Sequence, residues 1–350
     1  MSKVLVVGSS KRTRGGITSV IKAHAAGPQW QEYHCHWVQT HCDGSNIRKI
    51  WYLVTAIIDF IIRLPFYDLV HLHPSGYGSA KRKYIFAKLA VLFKKKIVVQ
   101  LHTCNSSLSF LSHERKTYEF LFNKSEYILV LSSGCRNEII ESLGIKPEKV
   151  IVFYNPCPVV DQKHEKECKR PYVLFAGTII PLKGYHDLIN AFGKISEKYP
   201  EWDLVLAGNG EIEKAKNMAV DLGISTKVHF TGWVGGLEKD KLFADAAIFC
   251  LPSYTEGFPM AVLDAWAYGV PVITTPVGGM PDVAVDGENM LLFNPGDVVT
   301  LSKQLERMIS DSELRNKIGL ASMEFAKHQF NRSFLCKQLS EIYKSSLNES

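Results

Sequence analysis

The eight cysteines, at positions 35, 42, 104, 135, 157, 168, 250 and 336, form no C-x-x-C pair and no ladder of spacings. In a chain of 350 residues that scatter argues for reduced thiols and against a disulfide scaffold or a zinc site. The opening residues, MSKVLVVGSS, carry neither an apolar h-region nor a small-residue cleavage site, so no signal peptide is expected and a cytoplasmic protein is. No low-complexity run is present. The longest apolar stretch, IRKIWYLVTAIIDFIIRLPF, approaches membrane-spanning length, but Arg48, Lys49, Asp59, Arg63 and Pro65 interrupt it. A carboxylate at its middle is costly in a bilayer. The stretch therefore reads as a helix packed on a sheet, with one apolar face left exposed.

Charge is unevenly spread. Up to Cys168, 23 Lys and Arg face 13 Asp and Glu; beyond it 18 face 22. The basic first half fits an anionic partner, either a phosphate-bearing acceptor or a membrane surface. Within it, SAKRKYIFAKLAVLFKKK combines apolar positions with seven basic ones, which suits either a helix lying on anionic headgroups or an ordinary solvated helix.

Length allows two domains, each with its own core. Strand-like runs (KVLVVG, DLVHLH, IVVQL, YILVL, YVLFA, DLVLA) alternate with helical periodicity throughout, the pattern of an α/β chain with parallel sheets. Asn155–Pro171, with three prolines and clustered charges, reads as a linker. The expected division is 1–157, a linker at 158–171, a second domain at 172–328, and a terminal helix at 329–350. After the first strand Gly8 is followed by Ser9 and Ser10, and the next glycines are Gly15 and Gly16, so a G-x-G-x-x-G dinucleotide fingerprint is absent. His71 and His73 alternate with Val70 and Leu72 in a strand and read as structural or lining residues. His102 follows the strand IVVQL, at the end where doubly wound sheets place ligands.

The most informative stretch runs from Ser253 to Phe293: SYTEGFPMAVLDAWAYGVPVITTPVGGMPDVAVDGENMLLF. It reads as turn, helix, strand, glycine loop and short strand. Glu256 and Asp264 bracket the helix start. With a helix beginning near Phe258, eight steps return the two carboxylates to nearly one face. The backbone N–H groups of Gly257 and Phe258 then lie where a helix N-terminus attracts anions. Two acceptors for hydroxyls beside donors for a phosphate describe a nucleotide-sugar pocket.

This stretch resembles the donor-binding signature of the retaining GT-B glycosyltransferases of family 4: E-G-F-x-x-x-x-x-E, a small-residue helix, G-x-P-V-I and a Gly-Gly loop. The second Glu is Asp264 here. A second element, GTIIPLKG, is similar to the family's G-R-x-x-x-x-K-G, with Lys183 and Gly184 matching and Thr178 standing where the family has arginine.

The resemblance implies an α/β GT-B fold of two Rossmann-like domains facing a central cleft, with the acceptor bound by the first and the donor by the second. It implies that Glu256 positions donor-sugar hydroxyls and Asp264 holds the ribose. Lys183 would be the main side-chain counter-charge for the diphosphate, and His102 would contact the sugar. Donor contacts are expected from Gly15, Gly16, Thr178, Val234, Gly257, Phe258 and Pro259 as well. No D-x-D triplet occurs, so no metal and no other cofactor is expected. The implied activity is retaining transfer from a UDP-sugar, or a GDP-sugar, to a glycan or lipid-linked acceptor in bacterial polysaccharide biosynthesis, at the inner face of the membrane. A nucleotide-sugar binder without activity, or a GT-B epimerase or hydrolase, are the alternatives.

Overall fold

The computed structural model describes residues 2–103, 109–160 and 171–348. They fall into two compact units, one of residues up to Pro156 together with Asn331 onward, the other Cys157–Phe330.

The first unit alternates strand and helix: β1 (Val4–Gly8), α1 (Gly16–Ala25), α2 (Pro28–Glu32), β2 (His36–Gln39), α3 (Asn46–Arg63), β3 (Leu69–Leu72), α4 (Tyr77–Leu92), β4 (Lys96–Gln100), α5 (Ser109–Lys124), β5 (Tyr127–Val130), α6 (Ser133–Leu143) and β6 (Val150–Val152). The second unit contains β7 (Tyr172–Ala176), α7 (Tyr185–Ile195), β8 (Asp203–Ala207), α8 (Ile212–Asp221), β9 (Val228–Gly232), α9 (Leu237–Asp245), β10 (Ile248–Leu251), α10 (Met260–Ala267), β11 (Val272–Thr274), β12 (Leu291–Leu292), α11 (Val298–Ser310) and α12 (Ser312–Gln329). The terminal α13 (Arg332–Leu347) belongs to the first unit, where it packs against α2, β3 and β4.

Both sheets are six-stranded and parallel, ordered β2-β1-β3-β4-β5-β6 and β12-β11-β10-β7-β8-β9. Strands buried on both faces need apolar residues at every position, which is why β1, VLVVG, shows no alternation. In the first sheet Leu5, Val7, Val70, Leu72, Val99 and Val130 pack under the helices of one face. Val4, Val6, Leu69, Val98 and Leu129 face the other way and meet Leu335, Leu339 and Tyr343 of α13. The terminal helix thus closes a sheet face that would otherwise be wet.

Helices start where side chains satisfy orphan N–H groups: Ser45 accepts from Arg48, Ser132 from Cys135, Asp297 from Thr300, and Asp311 from Leu314. Each sheet has one point where the strand order reverses, between β1 and β3 in the first and between β7 and β10 in the second. The loops leaving those strands diverge to opposite sides of the sheet, and the gap between them is where such folds hold ligands.

Two expectations are corrected. Cys135 is disulfide-bonded, so reduced thiols throughout do not hold, although Cys35, Cys42, Cys157, Cys250 and Cys336 are free; spacing along the chain carries no information on tertiary proximity. Lys83, counted among surface charges, is buried, its Nζ donating to Thr40 Oγ1 at 3.1 Å. Burial, aided by the Arg82 charge, pushes its amine down to about 7. The expected linker at 158–171 lies largely outside the described residues, and Cys157 at its edge is tied into the second unit by a bond from its N–H to the Phe330 carbonyl at 2.9 Å.

Candidate active site

In the second unit the reversal point brings together two loops far apart in sequence. The loop after β7 carries Lys183, and the loop after β10 carries Glu256. Because β7 and β10 are paired neighbours, Lys183 Nζ reaches Glu256 Oε1 at 2.5 Å. Ser253 Oγ donates to the same carboxylate oxygen at 2.7 Å. Glu256 is nearly buried and Lys183 partly so, which lets the pair act more strongly than a surface ion pair.

Glycines permit the close approach of these loops. Gly184 adopts φ +70°, and a Cβ there would lie 2.0 Å from the Pro252 carbonyl oxygen. Gly278, with φ +63°, would place a Cβ 2.4 Å from the Glu256 carbonyl oxygen. The Gly278–Gly279 loop is stapled to the entry turn by a bond from Gly279 N–H to the Gly257 carbonyl at 2.7 Å. The backbone carrying Glu256 is thereby held from both sides. Behind it, Tyr254 N–H donates to the Leu182 carbonyl at 2.9 Å, and Tyr254 Oη to buried Asp187 at the same distance.

The helix after Glu256 begins two residues later than the sequence suggests. Pro259 is the cap of α10 and Met260 its first residue. Proline disfavours helical backbone at the residue before it, here Phe258, so the helix starts only after Pro259. Glu256 therefore sits in the loop, and the expected common helical face with Asp264 does not form. Asp264 is held instead by Lys239 Nζ of α9 at 2.7 Å. Burial raises the Asp264 carboxyl above its usual range, with the Lys239 charge pulling the other way. Lys239 was not legible in the sequence: it lies in LEKDKLF, whose alternating charges look like any solvated helix.

The remaining donor-loop residues divide in two. Phe258 is buried and packs on Phe330, with ring centroids 5.1 Å apart, so its side chain is core. Thr178 is exposed at the end of β7, in a loop that runs tight against Gly208 and Gly210. Asn209 links that loop to the end of β9: its carbonyl accepts from Ile179 N–H at 2.8 Å and its Oδ1 from Trp233 N–H at 3.1 Å. Val234, next to Trp233, is half-buried.

In the first unit the reversal point gathers the loops after β1 and β3 and the end of β4. Gly15, with φ +136°, caps α1, which starts at Gly16. His102 Nε2 and His73 Nδ1 are hydrogen-bonded at 2.8 Å. The His71 ring lies tilted against His73, with centroids 4.2 Å apart, and its Nδ1 shares a 2.8 Å bond with Tyr343 Oη of α13. His24 lies 6.3 Å from His73 between ring centroids. Burial drives all four imidazoles below their usual value, His24 to about 4, His102 to about 3, and His71 and His73 well below. His102 is thus held neutral, with His73 as its direct partner, a role that strand alternation alone did not reveal.

Two family models match consecutive parts of the chain: Glycosyltransferase Family 4 over residues 13–159, and Glycosyl transferases group 1 over residues 158–324. The chain belongs to the family 4, group 1 glycosyltransferases. Members of this family are retaining enzymes of the GT-B fold, and this one is an α/β protein with the two parallel sheets of that fold. It is 24% identical over 365 residues to an uncharacterized 41.2 kDa protein in the cps region of Klebsiella pneumoniae, covering 97% of this chain and 99% of that one. It is 28% identical to the capsular polysaccharide biosynthesis glycosyltransferase CapM of Staphylococcus aureus, over 65% of this chain and 58% of that one. Among solved structures, Anabaena Alr3699/HepE in complex with UDP-glucose superposes with a TM-score of 0.80 at 18% identity, covering 99% and 100% of the two chains. At that identity the likeness concerns the fold. Among the described residues no helix is long and apolar enough to cross a membrane.

Proposed function

We propose that this glycosyltransferase moves a sugar from a UDP-sugar to a glycan or lipid-linked acceptor in the assembly of a bacterial surface polysaccharide. The observation that carries the reading is the Lys183–Glu256–Ser253 constellation at the reversal point of the second sheet. A lysine and a carboxylate so joined have a use when a sugar diphosphate binds. Lys183 turns to the phosphate oxygens, where it offsets the charge that grows as the glycosidic bond breaks. Glu256, released from its cation, accepts from sugar hydroxyls and orients the ring. It is a positioning carboxylate, and the departing phosphate takes the acceptor proton on the face from which it leaves. The backbone of Gly257 and the α10 entry after Pro259 add N–H donors. Asp264 receives the ribose hydroxyls, and Val234 borders the base. In the first unit, Gly15–Gly16 and His102 are assigned backbone approach to the diphosphate and contact with the sugar, as the family resemblance implies.

The capsule setting is supported by relatives such as the capsular polysaccharide biosynthesis glycosyltransferase CapM, and a UDP donor by the HepE complex with UDP-glucose. Residues 44–100, with nine Lys and Arg besides the buried Lys83 against Asp59 and Asp68, support an acceptor or surface of negative charge. The test is a thermal-shift series with UDP, GDP and ADP and their sugar conjugates, with and without EDTA. A ligand that binds only the folded state raises the melting point. The expected result is a shift from UDP and UDP-sugars that EDTA leaves unchanged. A shift from GDP alone moves the donor to GDP-sugars, and none from any nucleotide overturns the assignment.

A further inference from the structure

Helix α3 carries more apolar surface than its own unit uses. Placing its residues at about 100° per step, the side chains that reach the core (Leu53, Ala56, Ile57, Phe60) occupy an arc of roughly 100°. A second apolar arc of roughly 120° lies beside it: Ile47, Ile50, Trp51, Val54, Ile58 and Ile62. These face solvent, with Ile47 81%, Trp51 66% and Ile62 64% exposed. The stripe continues past the helix end into Phe66, 72% exposed. Single exposed apolar residues are ordinary, but a continuous stripe along an 18-residue helix is not. The helix's one carboxylate is neutralised on its polar side: Asp59 accepts from Arg63 Nε at 2.6 Å and is bonded to His36 Nε2 at 2.8 Å.

Charge beside the stripe decides what covers it. Lys95 Nζ donates to the Pro65 carbonyl at 3.2 Å, which sets the exposed end of α4 (Leu92, Phe93) and Lys94 next to the exposed end of α3. Arg48 and Lys49 stand at the other end. A second copy of the chain, docking by the same face, would bring these like charges together. An anionic lipid surface meets them with opposite charge while the stripe enters the acyl boundary. Trp51 is suited to that depth.

We infer that α3 is the membrane-docking element of this enzyme: its apolar stripe inserts in the plane of an anionic bilayer surface, and the basic residues at its two ends hold the headgroups. The inference deepens the reading of a membrane-borne acceptor and rests on it. It is tested without donor or acceptor, so the two fail separately.

Co-sedimentation with vesicles of phosphatidylcholine and phosphatidylglycerol in equal parts is compared for wild type, Trp51→Ser/Ile58→Ser/Ile62→Ser, and Lys94→Glu/Lys95→Glu. Wild type is expected to bind these vesicles at least tenfold more tightly than phosphatidylcholine alone, and to weaken in 0.5 M salt. The serine variant, which replaces only exposed side chains, is expected to keep the wild-type melting point and lose at least tenfold in binding. The glutamate variant is expected to lose the preference for anionic lipid. Unchanged vesicle binding by the serine variant overturns the inference, as does wild type that binds no vesicles. A wild-type dimer that the serine variant disperses, seen by light scattering, assigns the stripe to a second copy and also overturns it. Vesicle binding through α3 by a protein that consumes no UDP-sugar would sustain the inference and defeat the proposed function.

Discussion

Lowering the pH should unfold the first unit through its buried histidines. His24, His71 and His73 are fully buried, and His102 is hydrogen-bonded to His73. The unfolded chain takes up protons on these groups near pH 6.5, whereas the folded unit resists until about 4 at His24 and about 3 at His102. The stability that depends on their neutrality is therefore complete above about pH 6.5 and is lost as pH falls toward those lower values. At pH 5, two proton-binding curves so displaced differ by about 2 kcal/mol for His24, on an order-of-magnitude basis. His102 adds a similar amount and His71 and His73 act in the same direction, so the total approaches the roughly 5–15 kcal/mol that holds a domain together. The assay is urea denaturation at pH 7.5, 6, 5.5 and 5, followed by tryptophan fluorescence. His24→Phe isolates the effect. Neither His24 ring nitrogen has a hydrogen-bond partner among the described residues, and the ring already packs edge-on against Phe153 at 5.9 Å, so phenylalanine suits the site. Relative to wild type the variant should gain about 2 kcal/mol on going from pH 7.5 to 5. A wild-type stability that does not change over that range, or a His24→Phe variant with the wild-type pH slope, would refute the reasoning.

Three further outcomes are expected. Glu256→Gln and Lys183→Ala should each lower transfer by about 10²–10³-fold, the scale of losing one preorganised electrostatic contact; near-normal turnover of either in a UDP-release assay would remove that residue from the site. Gly184→Ala must strain a left-handed backbone and meet the Pro252 carbonyl, so a loss of about 2–4 kcal/mol is expected, read as a fall in melting temperature, and an unchanged melting point would contradict the packing of the two loops. Asp264→Asn should weaken UDP binding and yet raise stability at pH 7–8, because the raised carboxyl of the wild type costs folding energy once it ionises; that advantage should vanish as pH falls through the carboxylate range, and a variant less stable than wild type at pH 8 would contradict the sign.

Much of this protein was legible in its residues because the relevant physics is local. Apolar runs bounded by glycine mark parallel strands, and Tyr172–Ala176 and Asp203–Ala207 lie where the pattern places them. Lys183, Glu256 and the Gly278 loop stand out as a motif because close backbone approach admits only glycine, and sugar and phosphate need charged partners at fixed spacing. What the chain order could not convey is which groups meet. The bond between Lys183 and Glu256, 73 residues apart, depends on β10 inserting next to β7, and the capture of Asp264 by Lys239 depends on how α9 packs. The start of α10 falls two residues beyond Phe258 because Pro259 takes the cap position. The neutral state of His102 and the burial of Lys83 follow from desolvation by neighbours on other elements, whereas the exposed apolar face of α3 is already expected from its sequence. Residue type and spacing determine which elements form and which chemistry is at hand; long-range packing alone decides partners, burial and charge state, since each of these is set by distances that sequence separation does not measure.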